Sequence, residues 1–365
     1  MKKFTAWASA FSLMLTLAVP VSATSAASMD NFQKIREYEG FTDVPAQHWA
    51  APAVQQCNEY DLMSGLGDGT FGMEGDLTVA QALVMAARVY EIYKTGTTTV
   101  QPGEAVWYRS FVDYCINCGI INADEFEDYE ATITRAQMAG IFARALPDTA
   151  LPRISVYTPA DVTAKTPYAE QILTLYGAGV LSGSDIYGAF HPENHISRAE
   201  AAVILSRIAI QSSRKPAVLM KDVTLAGGIM AAVPQDVLDV SEQLGVSTLA
   251  NEHGFIMHQS EQDPTYQGVD ITLLPQEEFR QILQDSLKGQ NVTVSEIQTK
   301  EVAFGTTKAL EFSTTVTEHD TTTSMRGTLF ILDDQLHMIL FANDDLQVLN
   351  TMFQNLRING SKVTT

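Results

Sequence analysis

The most regular pattern in this chain is a helical spacing of apolar residues that occurs three times in its first two-thirds. Each occurrence opens with Thr or Ser, and Gln or Glu follows three residues later. The three pairs are Thr78 and Gln81, Thr134 and Gln137, and Ser197 and Glu200. Such a pair forms a capping box, in which each side chain accepts a hydrogen bond from a backbone N–H group at the helix start. The pattern therefore predicts three helices that begin directly after these hydroxyl residues.

A second apolar segment precedes each capped helix and ends in a short turn, at residues 62–65, 120–123 and 180–183. The unit of helix, turn, loop and helix therefore recurs, with 56 and then 63 residues between the hydroxyl positions. Such recurrence is typical of repeat proteins, in which each unit buries its apolar face against its neighbours. We predict repeats at residues 28–95, 96–150 and 151–210.

The spacing of apolar residues changes after the third repeat, from a helical period to the alternation of β-strands. A polar segment that ends in Pro216 predicts a linker at residues 211–217. Strands are predicted at residues 224–233, 254–259, 269–274, 292–302, 307–316, 325–332 and 336–342. Asp333 and Asp334 lie between the last two strands and predict a tight hairpin.

Two helical patterns interrupt these strands. The first begins at Pro275 and ends before Gly289, and the second is capped by Asn343 or Asp344. A mostly antiparallel sheet with two covering helices is an α+β sandwich, which we predict for residues 218–365. A chain of 365 residues is long enough for two domains. The predicted fold class is therefore multidomain, with mostly α repeats followed by an α+β domain.

The first 27 residues have the parts of a secretory signal peptide. Lys2 and Lys3 precede an apolar run at residues 11–19, and small residues follow this run. Cleavage after Ala23 and cleavage after Ala27 both fit the pattern. The run is too short for a membrane span, and no other run approaches the required length of about 18 apolar residues. The sequence predicts an exported protein without a membrane span.

The chain is strongly acidic, with a formal net charge of −20. Residues 28–214 contain 12 basic and 23 acidic residues, and residues 215–365 contain 9 and 20, so each part has a net charge of −11. Neither part shows the basic face that binding to nucleic acid phosphates requires, which excludes nucleic acid as a partner. Because an acidic surface repels an anionic polymer, binding to such a polymer has to depend on a few local arginines.

Three cysteines raise the question of a disulfide, a redox pair or a zinc site. Cys115 and Cys118 form a C-x-x-C motif, and Cys57 lies in the first repeat. However, Cys57 and Cys115 occupy the same position of their repeats, and the third repeat has Leu175 there. We therefore predict that these two cysteines are small buried residues of the core.

His191 and His195 have a spacing that metal sites use, but their surroundings in the sequence argue against a metal site. His191 and His195 lie in a loop that contains Pro192, without a further ligand nearby, and His253 and His258 flank a predicted strand. The sequence also lacks G-x-S-x-G, P-loop, H-E-x-x-H and G-x-G-x-x-G motifs. We predict no metal, no cofactor and no enzymatic activity.

Three short motifs follow one another in the first copy, and a fourth opens the capped helices of the second and third copies. They are F-T-D-V at residues 41–44, H-W-A at 48–50, G-D-G-T-F at 67–71, and T-R-A-Q or S-R-A-E at the helix starts of the second and third copies. In this order they resemble the S-layer homology domain, over roughly residues 41–210. The resemblance implies a pseudo-threefold prism of three repeats, with sugar-binding grooves between neighbouring copies.

No copy has every element of the family pattern. The first copy has Val79 where the family has arginine, the second lacks F-x-D-V, and the third has Tyr168 in place of the tryptophan. The resemblance therefore implies at most two grooves equipped with an arginine. The polysaccharide-binding residues that it implies are Asp43, Trp49, Asp68, Gly69, Arg135, Asp185 and Arg198.

The order of elements in residues 218–360 is similar to that of the PsbP-like fold. Together with the repeats and the signal peptide, this implies an exported protein of the bacterial cell surface, anchored non-covalently to the cell wall. The repeats are expected to bind a secondary cell-wall polysaccharide, with pyruvyl groups as candidate anionic substituents. The C-terminal domain is expected to be displayed as a module for an unidentified ligand or protein.

Two alternatives remain open at this point. A structural S-layer subunit belongs to the same class of wall-bound proteins. The other alternative is an exported hydrolase, whose catalytic domain would be the C-terminal domain with loop carboxylates such as Glu252, Glu261 and Asp263.

Overall fold

The computed structural model describes residues 26–275, 277, 279–281, 293–318 and 321–364. Nearly all of the predicted signal peptide lies outside these residues, as does most of the helix predicted between Pro275 and Gly289. The chain forms two compact units. The first contains the chain up to Ala131 together with residues 144–150 and 197–210, and the second contains residues 132–143, 151–196 and 211 onward.

The helices of the repeats form where the sequence predicts them. They are α1 (Ala51–Glu59), α2 (Val79–Thr95), α3 (Arg109–Asn117), α4 (Arg135–Arg144), α5 (Ala169–Gly177) and α6 (Arg198–Ala209). In the first unit α1 packs against α6, and α2 packs against α3.

All three predicted capping boxes are confirmed. Thr78 Oγ1 accepts from the backbone N–H of Gln81 at 3.2 Å, and Gln81 Oε1 accepts from the N–H of Thr78 at 3.2 Å. The pairs at the starts of α4 and α6 make the same reciprocal bonds. The boxes satisfy backbone groups that a helix start leaves without an intrahelical partner.

The two cysteines predicted to be buried lie in the core of the first unit. Cys57 and Cys115 are both 0% exposed, and the thiol of Cys57 donates to the carbonyl of Ala202 at 3.2 Å. Burial raises the pKa of both thiols, to about 12 for Cys115. All three cysteines are free thiols. Cys57 and Cys115 are therefore packed as small apolar residues, as predicted.

The second unit contains a curled, largely antiparallel sheet. Its strands are β1 (Met220–Thr224), β2 (Met230–Pro234), β3 (Leu238–Asp239), β4 (Ser247–Asn251), β5 (Gly254–Gln262), β6 (Thr293–Val294), β7 (Gln298–Phe304), β8 (Thr307–Glu318), β9 (Thr321–Leu332), β10 (Gln335–Asn343), β11 (Arg357–Ile358) and β12 (Ser361–Thr364). Their order is β1-β2-β11-β12-β7-β8-β9-β10-β5-β4-β3, and β6 pairs with β8.

Helices α7 (Ser241–Leu244) and α8 (Leu346–Gln354) accompany the sheet. Asp345 caps α8, one residue after the predicted cap positions, by accepting from the backbone of Gln347 and Val348. Phe353 of α8 packs edge-to-face on Phe341 of β10, with ring centroids 6.0 Å apart. One face of the sheet is thus covered by α8.

The predicted hairpin at Asp333 and Asp334 is confirmed. Both residues have positive φ angles, and the strands on either side pair from Gln335 and Leu332 onward. Three strand predictions are wrong. Within the described part of residues 292–302, β6 ends at Val294 and β7 begins at Gln298, so this range is not a single strand. Residues 224–233 form parts of β1 and β2, with a turn at Ala226–Gly228 that contains two glycines in left-handed conformations.

Residues 269–274 do not form a strand either. They contain a short 3-10 helix at Ile271–Leu273 instead, because Asp270 accepts hydrogen bonds from the backbone and the hydroxyl of Thr272. Such local bonds compete with the ladder of a sheet.

Within the second unit, the loop of the third repeat contacts the first strand of the sheet. The backbone N–H of Met220 donates to the carbonyl of Ile186 at 2.9 Å, and the hydroxyl of Tyr187 donates to Asp222 at 3.0 Å. Residues 211–217, predicted as a linker, include the buried Ala217. The predicted domain boundaries themselves stay a prediction.

Candidate functional site

The F-T-D-V motif places a carboxylate under the loop at residues 67–73. Asp43 Oδ1 accepts from the N–H of Phe71 at 2.7 Å, and Oδ2 accepts from those of Gly72 and Met73 at 2.7 and 3.3 Å. Partial burial raises the pKa of this carboxyl, but the three hydrogen bonds outweigh burial and hold the pKa below its ordinary value. Asp43 therefore fixes the shape of the loop.

Asp161 has the same role in the third repeat. Its two oxygens accept from the N–H groups of Phe190 at 2.9 Å and His191 at 2.7 Å, and its pKa is also lowered, because these bonds outweigh its burial. The predicted site residues Asp68 and Asp185 each accept backbone bonds from their own turns. The conserved geometry of the two copies is therefore a carboxylate-braced loop.

The helix starts of the three copies are docked onto loop carbonyls. The first two N–H groups of α6 donate to the carbonyls of Gly75 and Met73, at 2.9 and 3.1 Å. Those of α4 donate to Asn194 and Pro192, and those of α2 donate to Ala131 and Tyr129. These N–H groups are consequently occupied by the protein, and an anion would have to be bound by side chains.

Arg198 and Arg135 lie on the braced loops in matching ways. Arg198 Nε donates to the carbonyl of Phe71 at 2.8 Å, and its guanidinium lies 4.9 Å from the centre of the Phe71 ring. Arg135 Nε donates to the carbonyl of Phe190 at 2.8 Å and lies 5.1 Å from that ring. Each arginine thus joins a helix start to a loop by a hydrogen bond and a cation–π contact.

Arg198 keeps binding capacity in addition to these contacts. Its Nη2 donates to the carbonyl of Ser64 at 2.9 Å, whereas its Nη1 has no hydrogen-bond partner among the residues that the structure describes. Burial lowers the pKa of the guanidinium, but an arginine stays charged at neutral pH. The remaining N–H groups are available to an anionic or polar ligand.

A cavity of about 400 Å³ lies in the first unit, beside Arg198. Its polar and aromatic lining consists of Ser64, Gln81, Arg88, Trp107 and Arg198, and apolar residues such as Met85 and Leu62 complete the wall. The lining contains two arginines and no carboxylate. In a chain with a net charge of −20, this cavity is a locally cationic site.

Arg88 is held at the cavity by the turn that follows α1. Its Nη1 donates to the carbonyl of Asp61 and to the hydroxyl of Ser64, both at 3.3 Å. The carboxylate of Asp61 lies 3.8 Å away and partly compensates the charge of Arg88. Trp107 is 43% exposed, so one part of its indole is available for contact with a ligand.

Of the seven residues predicted from the sequence, the structure places one, Arg198, in this cavity. Trp49 is exposed, and Gly69 lies in a turn with a φ of +87°. Arg135 is buried against Phe190 in the second unit. A ligand-binding role for these residues stays a prediction.

Arg88 and Trp107 are the residues that sequence reasoning missed. Trp107 stands two residues before α3, as Trp49 stands two residues before α1. This equivalence was hidden because the second copy lacks the F-x-D-V motif. The corresponding position in the third copy is Pro167, and Tyr168 is the residue directly before α5, so the alignment of Tyr168 with the tryptophan is wrong.

The remaining candidate groups are the possible metal ligands and the loop carboxylates of the C-terminal region. No cluster of three or more His, Cys, Asp or Glu side chains that could hold a metal ion occurs in the described part of the chain. Glu252 is exposed, and Asp263 accepts from the backbone and the hydroxyl of Thr265. Glu261 contacts the hydroxyl of Tyr266. No helix among the described residues is long and apolar enough to cross a membrane.

Comparison with known proteins gives a family match in two of the three copies. The family model of the S-layer homology domain matches residues 40–82 and 160–202, which lie in the first and third copies. These ranges contain the braced loops, together with Gln81 and Arg198. The chain therefore carries S-layer homology domains.

Several curated proteins are similar to this chain. The S-layer protein EA1 of Bacillus anthracis is 23% identical over 172 residues, which cover 46% of this chain and 20% of that protein. The surface-layer 125 kDa protein of Lysinibacillus sphaericus is 27% identical over 213 residues, covering 56% and 17%. A cellulosome-anchoring protein of Acetivibrio thermocellus is 28% identical over 114 residues, covering 29% and 26%. The chain spans about a fifth of the length of the first of these relatives.

A search of solved structures found a cyanobacterial PsbP from Synechocystis sp. PCC 6803. The match covers 38% of this chain and 92% of the PsbP chain, at 10% sequence identity and a TM-score of 0.30. A score this low does not assign the C-terminal fold, so the PsbP-like fold remains a resemblance.

Proposed function

We propose that this chain is an exported surface protein held at a bacterial cell wall by its S-layer homology domains. In this proposal the domains bind a secondary cell-wall polysaccharide without chemistry, and the C-terminal α+β region is displayed as a binding module. The observation that carries the proposal is the cationic cavity beside Arg198, in an otherwise acidic chain. The similarity to S-layer and cellulosome-anchoring proteins supports the same conclusion.

The lining of the cavity suits an anionic sugar. The guanidinium groups of Arg88 and Arg198 can donate charged hydrogen bonds to a carboxylate, such as that of a pyruvyl group. Trp107 offers an aromatic surface to the apolar face of a sugar ring, and Gln81 and Ser64 supply polar groups for hydroxyls. Long-range repulsion by the acidic surface is then offset by short-range contacts in the cavity.

The proposal includes the pseudo-threefold prism that the resemblance implies for the repeats. Its support is a docking contact that recurs in order along the copies. The start of α2 donates to carbonyls in the second copy, α4 to carbonyls in the third, and α6 to carbonyls in the first. A second groove would contain Arg135, which contacts the loop of the third copy, together with Asp185 and the turn around it.

The proposal can be tested by sedimentation with cell walls. The full-length mature chain is mixed with purified sacculi that carry their polysaccharide, and with sacculi from which acid treatment has removed it. We expect the chain to sediment only with the first preparation. Equal sedimentation with both preparations would show binding to peptidoglycan and not to the polysaccharide, and would contradict the proposal.

Two matched pairs of variants locate the binding site. Trp107→Ala is compared with Trp49→Ala, since both tryptophans precede a helix by two residues but only Trp107 lines the cavity. Arg88→Gln is compared with Arg109→Gln, which changes an exposed arginine outside the cavity. We expect Arg88→Gln to weaken binding about tenfold or more, as for a charged hydrogen bond, and Trp107→Ala to weaken it about threefold to tenfold.

Arg109→Gln is expected to retain the affinity of the unmodified chain, and Trp49→Ala is expected to retain more of it than Trp107→Ala, because only Trp107 lines the cavity. If Trp49→Ala and Trp107→Ala weaken binding equally, the cavity is not the principal site, and the groove that the resemblance assigns to Trp49 contributes as much.

The hydrolase alternative predicts a different experimental result. It requires turnover of a wall or peptide substrate that depends on Glu252, Glu261 or Asp263. None of the relatives described above has an enzyme name, and they are S-layer or anchoring proteins. We therefore propose a binding function for the C-terminal region as well.

A further inference from the structure

The second unit contains a pocket of about 340 Å³ that is separate from the proposed wall-binding cavity. The pocket lies where the segment around Pro216 meets the end of β10 and the start of α8. Its volume is sufficient for a ligand of the size of an amino acid. Nothing in the proposed wall binding uses this pocket.

A buried amide points to a ligand in this pocket. Asn343 is only 2% exposed and lies among the lining residues. Its Oδ1 accepts from the backbone N–H of Asp345 at 2.8 Å. Its Nδ2 has no hydrogen-bond partner among the described residues, and it is not one of the fully buried unsatisfied atoms. Because a buried amide is normally satisfied, Nδ2 is a donor available to an acceptor in the pocket.

Three aspartates bring negative charge to the same pocket. Asp236 Oδ1 accepts from Asn251 Nδ2 at 2.9 Å, and Asp344 Oδ2 lies 3.0 Å from His253 Nδ1. Asp345 uses Oδ1 to cap α8. The second oxygen of each carboxylate has no hydrogen-bond partner among the described residues.

The positive charges in the lining do not fully balance these carboxylates. Lys215 supplies one charge, and a protonated His253 supplies a second. The hydrogen bond to Asp344 raises the pKa of His253 and so favours its protonated form. Even with His253 protonated, the three carboxylates outnumber the two cations, which suits a ligand with an ammonium group.

The rest of the wall is apolar. Pro216, Val218, Pro234 and Val348 line the pocket, and Tyr157 contributes its ring. Burial, and secondarily the charge of Asp236, raises the pKa of Tyr157, so its hydroxyl stays neutral at physiological pH. A short aliphatic side chain of the ligand can therefore be covered while its ammonium group reaches a carboxylate.

We propose that this pocket binds an aminoacyl group with a free amino terminus and an aliphatic side chain. The ammonium group contacts Asp236 and Asp344, a carbonyl oxygen accepts from Asn343 Nδ2, and the side chain packs on the prolines and valines. The inference concerns a second ligand and does not depend on wall binding.

The test measures the binding of four small probes to the full mature chain by isothermal titration calorimetry. Leucinamide carries the ammonium group, the carbonyl and the side chain. Isoamylamine lacks the carbonyl, 4-methylpentanamide lacks the ammonium group, and N-acetylleucine is an anion. We expect leucinamide to bind about tenfold more tightly than either of the first two controls, and N-acetylleucine not to bind.

Three variants assign the contacts. Asp236→Asn removes one charge but keeps the acceptor for Asn251, and it should weaken leucinamide binding about tenfold. Asn343→Asp keeps the acceptor for the N–H of Asp345 but removes the donor, and it should abolish the preference for leucinamide over isoamylamine. Glu301→Gln removes an exposed carboxylate outside the pocket and should leave all affinities unchanged.

Two results would overturn the inference. One is equal affinity for leucinamide and 4-methylpentanamide, which would show that the carboxylates do not recognise an ammonium group. The other is no heat of binding for leucinamide at millimolar concentration in a chain that unfolds at the normal temperature. Sedimentation with cell walls, measured on the same variants, should not change in any case, so failure here is distinguishable from failure of the wall-binding proposal.

Discussion

Single carboxylates and arginines determine the shape of the repeats more directly than the apolar residues around them. Asp43 and Asp161 each bind consecutive backbone N–H groups of a loop, and Arg198 and Arg135 bind the carbonyls of Phe71 and Phe190 in those same loops. Each loop is thus fixed on its N–H side by a carboxylate that accepts hydrogen bonds and on its carbonyl side by a guanidinium that donates one. Motif residues of this kind can be retained for the loop even where they do not touch a ligand.

Replacing Asp43 by Asn should therefore destabilise the first unit. An amide presents one acceptor in place of two, and its NH₂ group would face a backbone N–H, at a cost of about 1 to 3 kcal/mol. Because the folded pKa of Asp43 is lowered, its contribution to stability is present above the ordinary carboxyl pKa near 3.8 and is lost as the pH falls below it. Thermal unfolding of the variant should consequently depend less on pH below about 4 than unfolding of the unmodified chain.

The control for this prediction is Asp113→Asn, which changes a half-exposed carboxylate that pairs only with Arg109 on the surface of α3. It should alter the melting temperature by little, since exposed ion pairs contribute about 0 to 1 kcal/mol. Equal loss of stability in both variants would mean that the bonds of Asp43 to the loop are not important.

A buried histidine pair should make the second unit sensitive to mild acid. His258 Nε2 and His337 Nδ1 are 3.0 Å apart, and both rings are almost fully buried. Burial, and secondarily the charge of His337, lowers the pKa of His258 to about 4. The unfolded chain binds this proton near pH 6.5, so stability is lost as the pH falls from about 6.5 to about 4, by up to about 3 kcal/mol.

The free energy of unfolding, measured with denaturant between pH 7 and pH 4.5, tests this effect. Hydrogen exchange in β5 and β10 shows whether the loss of stability occurs at the histidine pair. His258→Leu should reduce the pH dependence. His253→Gln is the matched control, because the pKa of the exposed His253 is raised and its contribution has the opposite sign. A steep acid transition that persists in His258→Leu would assign the effect to other groups.

At the scale of the elements, two loop glycines allow the cost of backbone strain to be distinguished from the cost of overpacking. Gly69 and Gly188 both have φ angles in the left-handed region, +87° and +77°. A Cβ at Gly69 meets nothing within 4 Å, whereas a Cβ at Gly188 would lie 2.1 Å from Leu219 Cδ2 and 2.7 Å from the Tyr176 hydroxyl. The loop of the third repeat is therefore tightly packed where it meets the segment before β1.

We expect Gly69→Ala to cost about 1 to 2 kcal/mol, from strain alone. Gly188→Ala should cost about 1 to 3 kcal/mol more, because it also overpacks the contact with Leu219. Differential scanning calorimetry of the full chain compares the two directly. Equal melting temperatures would show that Leu219 can move aside at no cost.

The strands show how local chemistry overrides a pattern of residues. Residues 269–274 have the apolar composition of a strand, but Asp270 forms a short 3-10 helix through its bonds to Thr272. Residues 224–233 alternate suitably, but Gly227 and Gly228 turn the chain back on itself. In both places a local side-chain bond or a left-handed glycine is stronger than the preference for an extended chain.

At the scale of the whole molecule, the contacts of the third repeat should stabilise the first strands of the sheet. A fragment of residues 216–365, which contains the whole predicted α+β domain, lacks Ile186 and Tyr187, the partners of Met220 and Asp222. We expect the amides of β1 and β2 to exchange about tenfold faster in this fragment than in the full chain. Those of β8 and β9 serve as the internal control, since their partners are all within the fragment.

Equal exchange rates in β1 and β2 would mean that the sheet does not depend on the third repeat. A fragment without protected amides in β8 and β9 would instead show that residues 216–365 do not fold by themselves.

The local features of this protein follow from its sequence. The burial of Cys57 and Cys115 follows from comparing the repeats, whereas the capping boxes at Thr78, Thr134 and Ser197 and the hairpin at Asp333 follow from residues that are near one another in the chain. Their hydrogen bonds and periodic burial are set within one or two turns, so reading a short window of sequence is sufficient.

Which side chains share a cavity depends on tertiary packing and could not be predicted from the sequence. Ser64, Trp107 and Arg198 meet in the first unit although 91 residues separate the last two along the chain. Asp236 and Asn343 likewise meet in the second unit through the pairing of β4, β5 and β10. Such meetings depend on how distant elements pack, because a pocket is formed by the space that packing leaves and by the few polar groups that point into it.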